Sequence, residues 1–73
     1  MMQGNKMIIY VNDEPREYSN ESIYELLRKV GVDPEKPGVA VAVNADVIPR
    51  SEWKHRRLND GDRLEIVHAV SGG

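Results

Sequence analysis

A single short helix constrains the fold of this chain more than any other feature. In residues 22–31, SIYELLRKVG, four apolar side chains recur at the spacing of one helical face: Ile23, Leu26, Leu27 and Val30. A helix of about nine residues is too short to be stable alone in water, so its apolar face has to pack against another element. The predicted β-hairpin that precedes it in the chain is the nearest candidate.

Residues suited to capping mark both ends of this helix. Ser22 is a good N-cap, and Glu25 three residues later completes a capping-box pattern. Arg28 and Lys29 lie at the negative end of the helix dipole, where positive charge is favourable. Gly31 suits the left-handed conformation that ends many helices. The sequence therefore predicts where the helix begins and where it ends.

The remainder of the chain has the pattern of short strands separated by turns. The predicted strands are residues 7–11, 16–19, 39–43, 47–48 and 63–70. The segments NDEP (12–15) and NDGD (59–62) have the composition of turns, and residues 50–58 are predicted to form a turn or an irregular helical turn. Strands with one helix on one face predict an α+β domain. The first and last strands are both rich in β-branched residues, so we expect them to pair centrally.

The small size of the chain limits its core. With 73 residues it fits one domain, and a chain this short buries only about 60% of the surface that its unfolded form exposes. A large internal cavity for a substrate is therefore not expected. The predicted core residues are Ile9, Val11, Ile23, Leu26, Leu27, Val30, Val41, Val43, Leu64 and Ile66.

Composition argues against several classes of function. The chain has 10 basic and 12 acidic residues, and this mild charge argues against nucleic acid as the main partner. The absence of cysteine excludes disulfides, thiolate metal sites and a cysteine nucleophile. No apolar run approaches the roughly 18 residues of a membrane span, and the start MMQGNK lacks the apolar core of a signal peptide. We therefore expect a cytoplasmic protein with neither nucleic-acid nor membrane partners.

The side chains offer little for catalysis. His55 and His68 have no third ligand at a suggestive spacing, so no metal site is predicted, and each is interpreted as a surface or strand-edge residue. The basic cluster KHRR (54–57), with Arg50 nearby, is either a docking patch for an acidic partner or a solvated turn. The mixed charges around it favour the turn. Trp53 is interpreted as a cap on the small core.

The chain ends in SGG, residues 71–73, directly after the last predicted strand. Glycine has no side chain to obstruct a narrow channel and accepts any backbone angle. A Gly-Gly end is therefore suited to presenting a carboxylate to another protein, which makes it reactive by converting it to an acyl-adenylate with AMP as leaving group. The alternatives are an ordinary disordered terminus or a tag remnant.

Several segments together resemble the ThiS family, the ubiquitin-like sulfur carriers of thiamin thiazole biosynthesis. These segments are IIYVND, SIYELL, VAVNADVIPRSEW, LNDGDRLEIV and the terminal GG. Ile48 stands where the family pattern more often has valine. The resemblance implies a β-grasp fold, in which a mixed sheet wraps one helix. Residues 1–6 are then predicted to be a disordered leader, residues 7–70 the β-grasp domain and residues 71–73 a flexible reactive tail.

The resemblance also implies a mechanism. A ThiF-like adenylyltransferase would use MgATP to adenylate the carboxylate of Gly73, and sulfur from a persulfide donor would displace AMP to leave a thiocarboxylate. A ThiG-like thiazole synthase would then accept the sulfur. On this view the chain is a carrier rather than an enzyme and binds no cofactor itself. Gly73 is the reacting residue, while Gly72 and Ser71 present it.

By the same resemblance, Val70, His68 and Arg50 are predicted to contact partners. Three alternatives stay open from the sequence. A MoaD-like carrier would deliver sulfur to molybdopterin synthase, and a ubiquitin-like modifier would join Gly73 to a lysine. A passive β-grasp module would be unaffected by deletion of Gly72 and Gly73. The lack of phenylalanine and the segment VIPRSEW favour the thiazole carrier.

Overall fold

A five-stranded mixed sheet packs one α-helix against one of its faces in the computed structural model, which describes residues 6–68. The elements are β1 (Met7–Val11), β2 (Glu14–Tyr18), α1 (Ile23–Lys29), β3 (Val39–Val43), β4 (Asp46–Val47), a 3₁₀-helix (Arg50–Glu52) and β5 (Arg63–His68). The predicted α+β class and the predicted order of elements are confirmed. Residues 1–5 of the predicted leader lie outside the described residues.

The last strand lies at the centre of the sheet, whose strand order is β2-β1-β5-β3-β4. β5 runs parallel to β1, with Val11 opposite Leu64, and antiparallel to β3, with Val41 opposite Ile66. The predicted central pairing of the first and last strands is confirmed. Because β5 has a neighbour on each side, it joins the two hairpins of the fold into one sheet.

The second strand begins earlier than the sequence predicted. Residues 12–15 were expected to form the turn, but the turn contains only Asn12 and Asp13, and β2 starts at Glu14. Pro15 therefore lies within a strand, opposite Tyr10. The strand tolerates this proline because β2 is at the edge of the sheet, where a missing N–H group removes no ladder hydrogen bond.

The capping interactions of α1 agree with the sequence. The Ser22 hydroxyl accepts a hydrogen bond from the Glu25 N–H group at 3.2 Å. At the other end Gly31 has a φ of +89°, its N–H group donates to Arg28, and the Val32 N–H group donates to Leu27 at 2.8 Å. This is a Schellman motif, which satisfies carbonyl groups at the end of the helix.

The core lies between α1 and the inner face of the sheet. Nine of the ten predicted core residues are buried there, and the tenth, Val30, is partly buried against them. Besides Trp53, the hydrophobic core of the described residues contains four residues that the sequence analysis left out: Tyr18, Val39, Ile48 and Leu58. Trp53, predicted to cap the core, is only 1% exposed, and its indole N–H group donates to the Ile48 carbonyl at 3.1 Å.

The segment that carries Trp53 also covers the start of the helix. The Ile23 N–H group donates to the carbonyl of Arg56, and the Tyr24 N–H group donates to that of Trp53, both at 3.0 Å. The first N–H groups of a helix have no partner within the helix. These two bonds satisfy them, and they explain how a polar stretch of sequence comes to be fixed on the core.

A buried tyrosine joins this segment to β2. The Tyr18 hydroxyl donates to the Glu21 carbonyl and accepts from the Leu58 N–H group at 2.8 Å. Burial raises the pKa of Tyr18 above its ordinary value, and the protonated hydroxyl makes both bonds. The two hydrogen bonds of this hydroxyl link the end of β2 and the start of the next loop to Leu58, 40 positions away in the chain.

Replacement of Leu26 with alanine should lower the free energy of unfolding by roughly 2–5 kcal/mol. Leu26 is 1% exposed and packs between α1 and the sheet, so its removal leaves a cavity. Urea denaturation measures the change. The control is Arg28→Ala on the exposed side of the same helix, expected to change stability by no more than about 0.5 kcal/mol. Coincident unfolding curves for the two variants would contradict the helix-to-sheet packing.

Candidate functional site

The predicted reactive tail lies outside the described residues, which end at His68. That tail is residues 71–73, and Val70, which was predicted to contact a partner, also lies outside the described residues. Their proposed roles stay predictions. The structure does describe the strand that leads to them and the two other predicted site residues, His68 and Arg50.

Strand β5 connects the core to the predicted tail. Near its start, Leu64 is completely buried, and Ile66 is 8% exposed. Further along, Val67 is 57% exposed and His68 is exposed. Leu64 and Ile66 anchor β5 in the core, and Val67 and His68 are accessible to solvent. The last described residues of the chain are therefore both fixed in position and exposed.

His68 lies on the same face of the sheet as Leu64 and Ile66, since alternate strand residues share a face. It is opposite Val39 and contributes to the wall of an open cleft of about 290 Å³. Val32 and Ile66 also line this cleft. The position agrees with the predicted strand-edge location and leaves the imidazole accessible to a partner, although contact with a partner stays a prediction.

Arg50 makes contacts within the chain. Its guanidinium donates hydrogen bonds to three main-chain carbonyls: those of Pro34, of Lys36 at 3.0 Å and of Val39 at 3.3 Å. It also lies over the ring of Trp53, 4.6 Å from the centroid. This side chain therefore closes the loop between α1 and β3. The predicted partner contact of Arg50 stays untested beside this structural role.

The outer face of the sheet carries an apolar patch that the sequence analysis did not identify. Val47 and Val67 are its large side chains, 74% and 57% exposed. Tyr10, 36% exposed, lies on the same face beside Arg63, and Arg63 and Glu65 separate it from Val67. Ala40 lies opposite Val67 and Ala42 opposite Val47, so small residues connect the two valines. The segment VAVAV was interpreted as one apolar run, but alternation places its valines inside and its alanines on this outer patch. Contiguous exposed apolar surface is typical of protein docking sites.

The shifted pKa values of the described residues have structural causes. Burial raises the pKa of Glu21, but the Lys29 ammonium at 2.5 Å and hydrogen bonds from main-chain N–H groups together outweigh it, and the pKa lies below its ordinary value. A hydrogen bond to the Glu35 carboxylate at 2.6 Å raises the pKa of Tyr24. Each of these groups is engaged in a contact that holds the fold together. The shifts therefore do not mark an acid–base site.

Two further observations concern residues 6–68 alone. No three histidine, cysteine, aspartate or glutamate side chains in this range lie close enough together to hold a metal ion. Neither helix in this range has the length and apolar character needed to cross a membrane. Two features of this part of the chain are suited to binding other molecules. One is the exposed end of β5, and the other is the apolar outer face of the sheet.

A mixed sheet of this strand order around a single helix defines the β-grasp, or ubiquitin-like, class of proteins. The comparison with known families is more specific. The model of the ThiS family matches residues 5–73, and the chain belongs to that family. The resemblance seen in the sequence is therefore confirmed.

Two relatives match over their whole length. The chain is 36% identical over 66 residues to the sulfur carrier protein ThiS of Thermus thermophilus, a match that covers 90% of this chain and 100% of that protein. It is 29% identical over 68 residues to the sulfur carrier protein ThiS of Escherichia coli, covering 92% and 100%.

Another relative is much longer than this chain. A thiazole synthase of Paramagnetospirillum magneticum is 41% identical over 68 residues, which cover 92% of this chain but 20% of that protein. The chain thus spans about a fifth of the length of this relative.

Solved structures confirm the β-grasp fold. The crystal structure of a thiamine biosynthesis protein (ThiS) from Geobacter metallireducens superimposes with a TM-score of 0.75 at 27% identity, covering 92% of this chain and 100% of that one. The solution structure of a protein from the same organism gives a TM-score of 0.71 at 27% identity, covering 92% and 88%.

Replacement of Arg50 with alanine should lower the free energy of unfolding by about 1–2 kcal/mol, because three carbonyls lose a charged donor. Thermal unfolding measures the change. Arg56→Ala is the matched control, since Arg56 is exposed and its ion pair with Glu52 spans 4.0 Å. Its effect should stay within about 0.5 kcal/mol. Equal stability of the two variants would contradict the structural role of Arg50.

Proposed function

We propose that this chain is a sulfur carrier protein whose C-terminal glycine, Gly73, is converted to a thiocarboxylate that donates sulfur to thiazole synthase in thiamin biosynthesis. The observation that carries the proposal is the family match, which extends through the final Gly-Gly. Two relatives matched over their full length are named sulfur carrier proteins. The chain is thus a co-substrate of enzymes rather than an enzyme.

The first step is activation of the terminal carboxylate. An oxygen of the Gly73 carboxylate attacks the α-phosphorus of ATP, which releases pyrophosphate and forms an acyl-adenylate. A ThiF-like adenylyltransferase supplies the site for MgATP, so the carrier needs no cofactor of its own. Gly72 and Ser71 suit this step because small residues pass easily into a narrow channel.

The second step exchanges oxygen for sulfur. The terminal sulfur of a persulfide donor attacks the carbonyl carbon of the acyl-adenylate, and AMP leaves. A thiol then cleaves the resulting sulfur–sulfur bond and releases the carrier as a thiocarboxylate. The chain contains no cysteine, so both sulfur groups come from partner molecules. The scheme needs from the carrier only a reachable terminus and a surface for docking.

Thiazole synthase is the acceptor that the comparisons favour. Two relatives with that name, from Paramagnetospirillum magneticum and Magnetococcus marinus, contain a region that matches 92% of this chain at 41% and 37% identity. A carrier-like region within those longer proteins supports an association between the two activities. The apolar patch on the outer face, next to the end of β5, is a suitable docking surface for such a partner.

Intact-protein mass spectrometry tests the proposed chemistry. The chain is incubated with MgATP, the ThiF-like adenylyltransferase and a sulfide source, and is then weighed beside a variant that lacks Gly73. We expect the full-length chain alone to gain the mass difference between one sulfur and one oxygen. The variant should stay unchanged, because its terminus no longer reaches the activating site.

Either of two results would contradict the proposal. The first is an unchanged mass of the full-length chain in the presence of an adenylyltransferase that activates a known carrier. The second is the same mass gain in the variant without Gly73, which would place the sulfur elsewhere. A lysine adduct formed in cell lysate would point instead to a ubiquitin-like modifier.

A further inference from the structure

We propose that Asn12 is a positioning residue that fixes the end of β5 and so determines where the C-terminal tail is delivered to the activating enzyme. The effect on the activating enzyme rests on the proposed function. The structural basis is that the Asn12 side chain bonds to β5 where the main chain of β1 no longer pairs with it.

The hydrogen bonds between β1 and β5 follow a regular series. The Tyr10 N–H group donates to the carbonyl of Asp62 at 3.0 Å, and the Asn12 N–H group donates to that of Leu64 at 2.9 Å. The next carbonyl of β5 in this series belongs to Ile66. In a longer β1 strand, another main-chain N–H group would bond to it.

The chain turns away from β5 before it reaches Ile66. Asn12 and Asp13 have φ angles of 49° and 71°, which take the main chain into the hairpin turn. The side-chain amide of Asn12 makes the hydrogen bonds to β5 that a further residue of β1 would otherwise make. Its Oδ1 accepts from the Ile66 N–H group at 2.8 Å, and its Nδ2 donates to the Ile66 carbonyl at 3.4 Å.

Asparagine is suited to this position for two reasons. A side-chain amide carries both a donor and an acceptor, so it can reproduce both hydrogen bonds of a peptide group. Asparagine is also one of the few residues that readily adopt a positive φ. One residue thus makes the turn of the hairpin and binds a strand 54 positions away in the chain.

The position of this contact along β5 is what connects it to function. The pairing of β1 with β5 ends at Val11 and Leu64, whereas β3 stays paired with β5 as far as His68. Among the described residues, the bonds between Asn12 and Ile66 are therefore the hydrogen bonds nearest the C-terminal end of β5 on its β1 side. Ile66 lies two positions before His68, the last described residue, and five positions before the predicted tail at residues 71–73.

The chain contains a matched control at the opposite end of the same strand. Asn44 also begins a left-handed two-residue turn, with φ angles of 51° and 74° for Asn44 and Ala45. Its Oδ1 accepts from the Arg63 N–H group at 3.0 Å, at the first residue of β5. Glycine in place of either asparagine still adopts the positive φ of the turn, but it loses the side-chain hydrogen bonding to β5. Only Asn12 holds the end next to the tail.

The test compares Asn12→Gly with Asn44→Gly in adenylation by the ThiF-like enzyme, followed as ATP–pyrophosphate exchange. For Asn12→Gly we expect kcat to fall about tenfold, because a displaced tail spends less time in the reactive position. KM should stay within about twofold, since the docking surface is unchanged. Asn44→Gly should keep both constants within about twofold of the unsubstituted chain.

A second measurement reports on the strand without any partner. Amide hydrogen exchange of Ile66, followed by NMR, should become faster in Asn12→Gly than in Asn44→Gly, because only the first variant removes its acceptor. Melting curves of both variants show whether they lose similar global stability. The combination of similar melting temperatures with different kcat values is the expected result.

Three outcomes would overturn the inference. Equal kcat losses in both variants would reduce the role of Asn12 to general stability. A rise in KM alone would place Asn12 in the docking surface rather than in positioning. An unchanged kcat with faster exchange at Ile66 would show that the strand end does not control delivery. Failure of the unsubstituted chain to be adenylated is distinct from these, because it contradicts the proposed function itself.

Discussion

The placement of β5 between β1 and β3 is the constraint on which the rest of this structure depends. The strand joins the two hairpins, and its residues Leu64 and Ile66 form part of the surface on which the helix packs. An asparagine of each hairpin turn bonds to it. Because residues 69–73 follow β5 in the sequence, the interactions that build the core also hold the strand from which those residues continue.

The shifted titratable groups of the described residues serve the fold. Glu21, Tyr18 and Tyr24 are each bonded to a neighbour that stabilises the fold. The exposed apolar side chains of the described residues lie on the sheet face opposite the helix. Under the proposed function, partner enzymes make and break the bonds, and the carrier supplies a surface for docking. The small size of the chain, which limits any enclosed cavity, agrees with this division of labour.

The sequence predicted those features that local pattern determines. The spacing of Ile23, Leu26 and Leu27 gave the helix and its buried face, and the ends at Ser22 and Gly31 follow from capping chemistry. These features require only neighbouring residues. The predicted site residues on the described chain, His68 and Arg50, were identified through a family resemblance, because neither has a distinctive local pattern.

The pairing of the first and last strands was predicted, but hydrogen bonds of side chains to distant segments were not. Asn12 was recognised as a turn residue, but its bond to a strand at the other end of the chain has no local signature. The Leu58 N–H group donates to the Tyr18 hydroxyl, 40 positions away, and the guanidinium of Arg50 donates to carbonyls of a separate loop. The most direct measurement of the central claim follows heavy sulfur from the thiocarboxylate form of this chain into the product of a thiazole synthase supplied with its other substrates. The account predicts that the label appears in the thiazole ring and leaves the carrier as an ordinary carboxylate. Retention of the label on the chain beside an active thiazole synthase would contradict it.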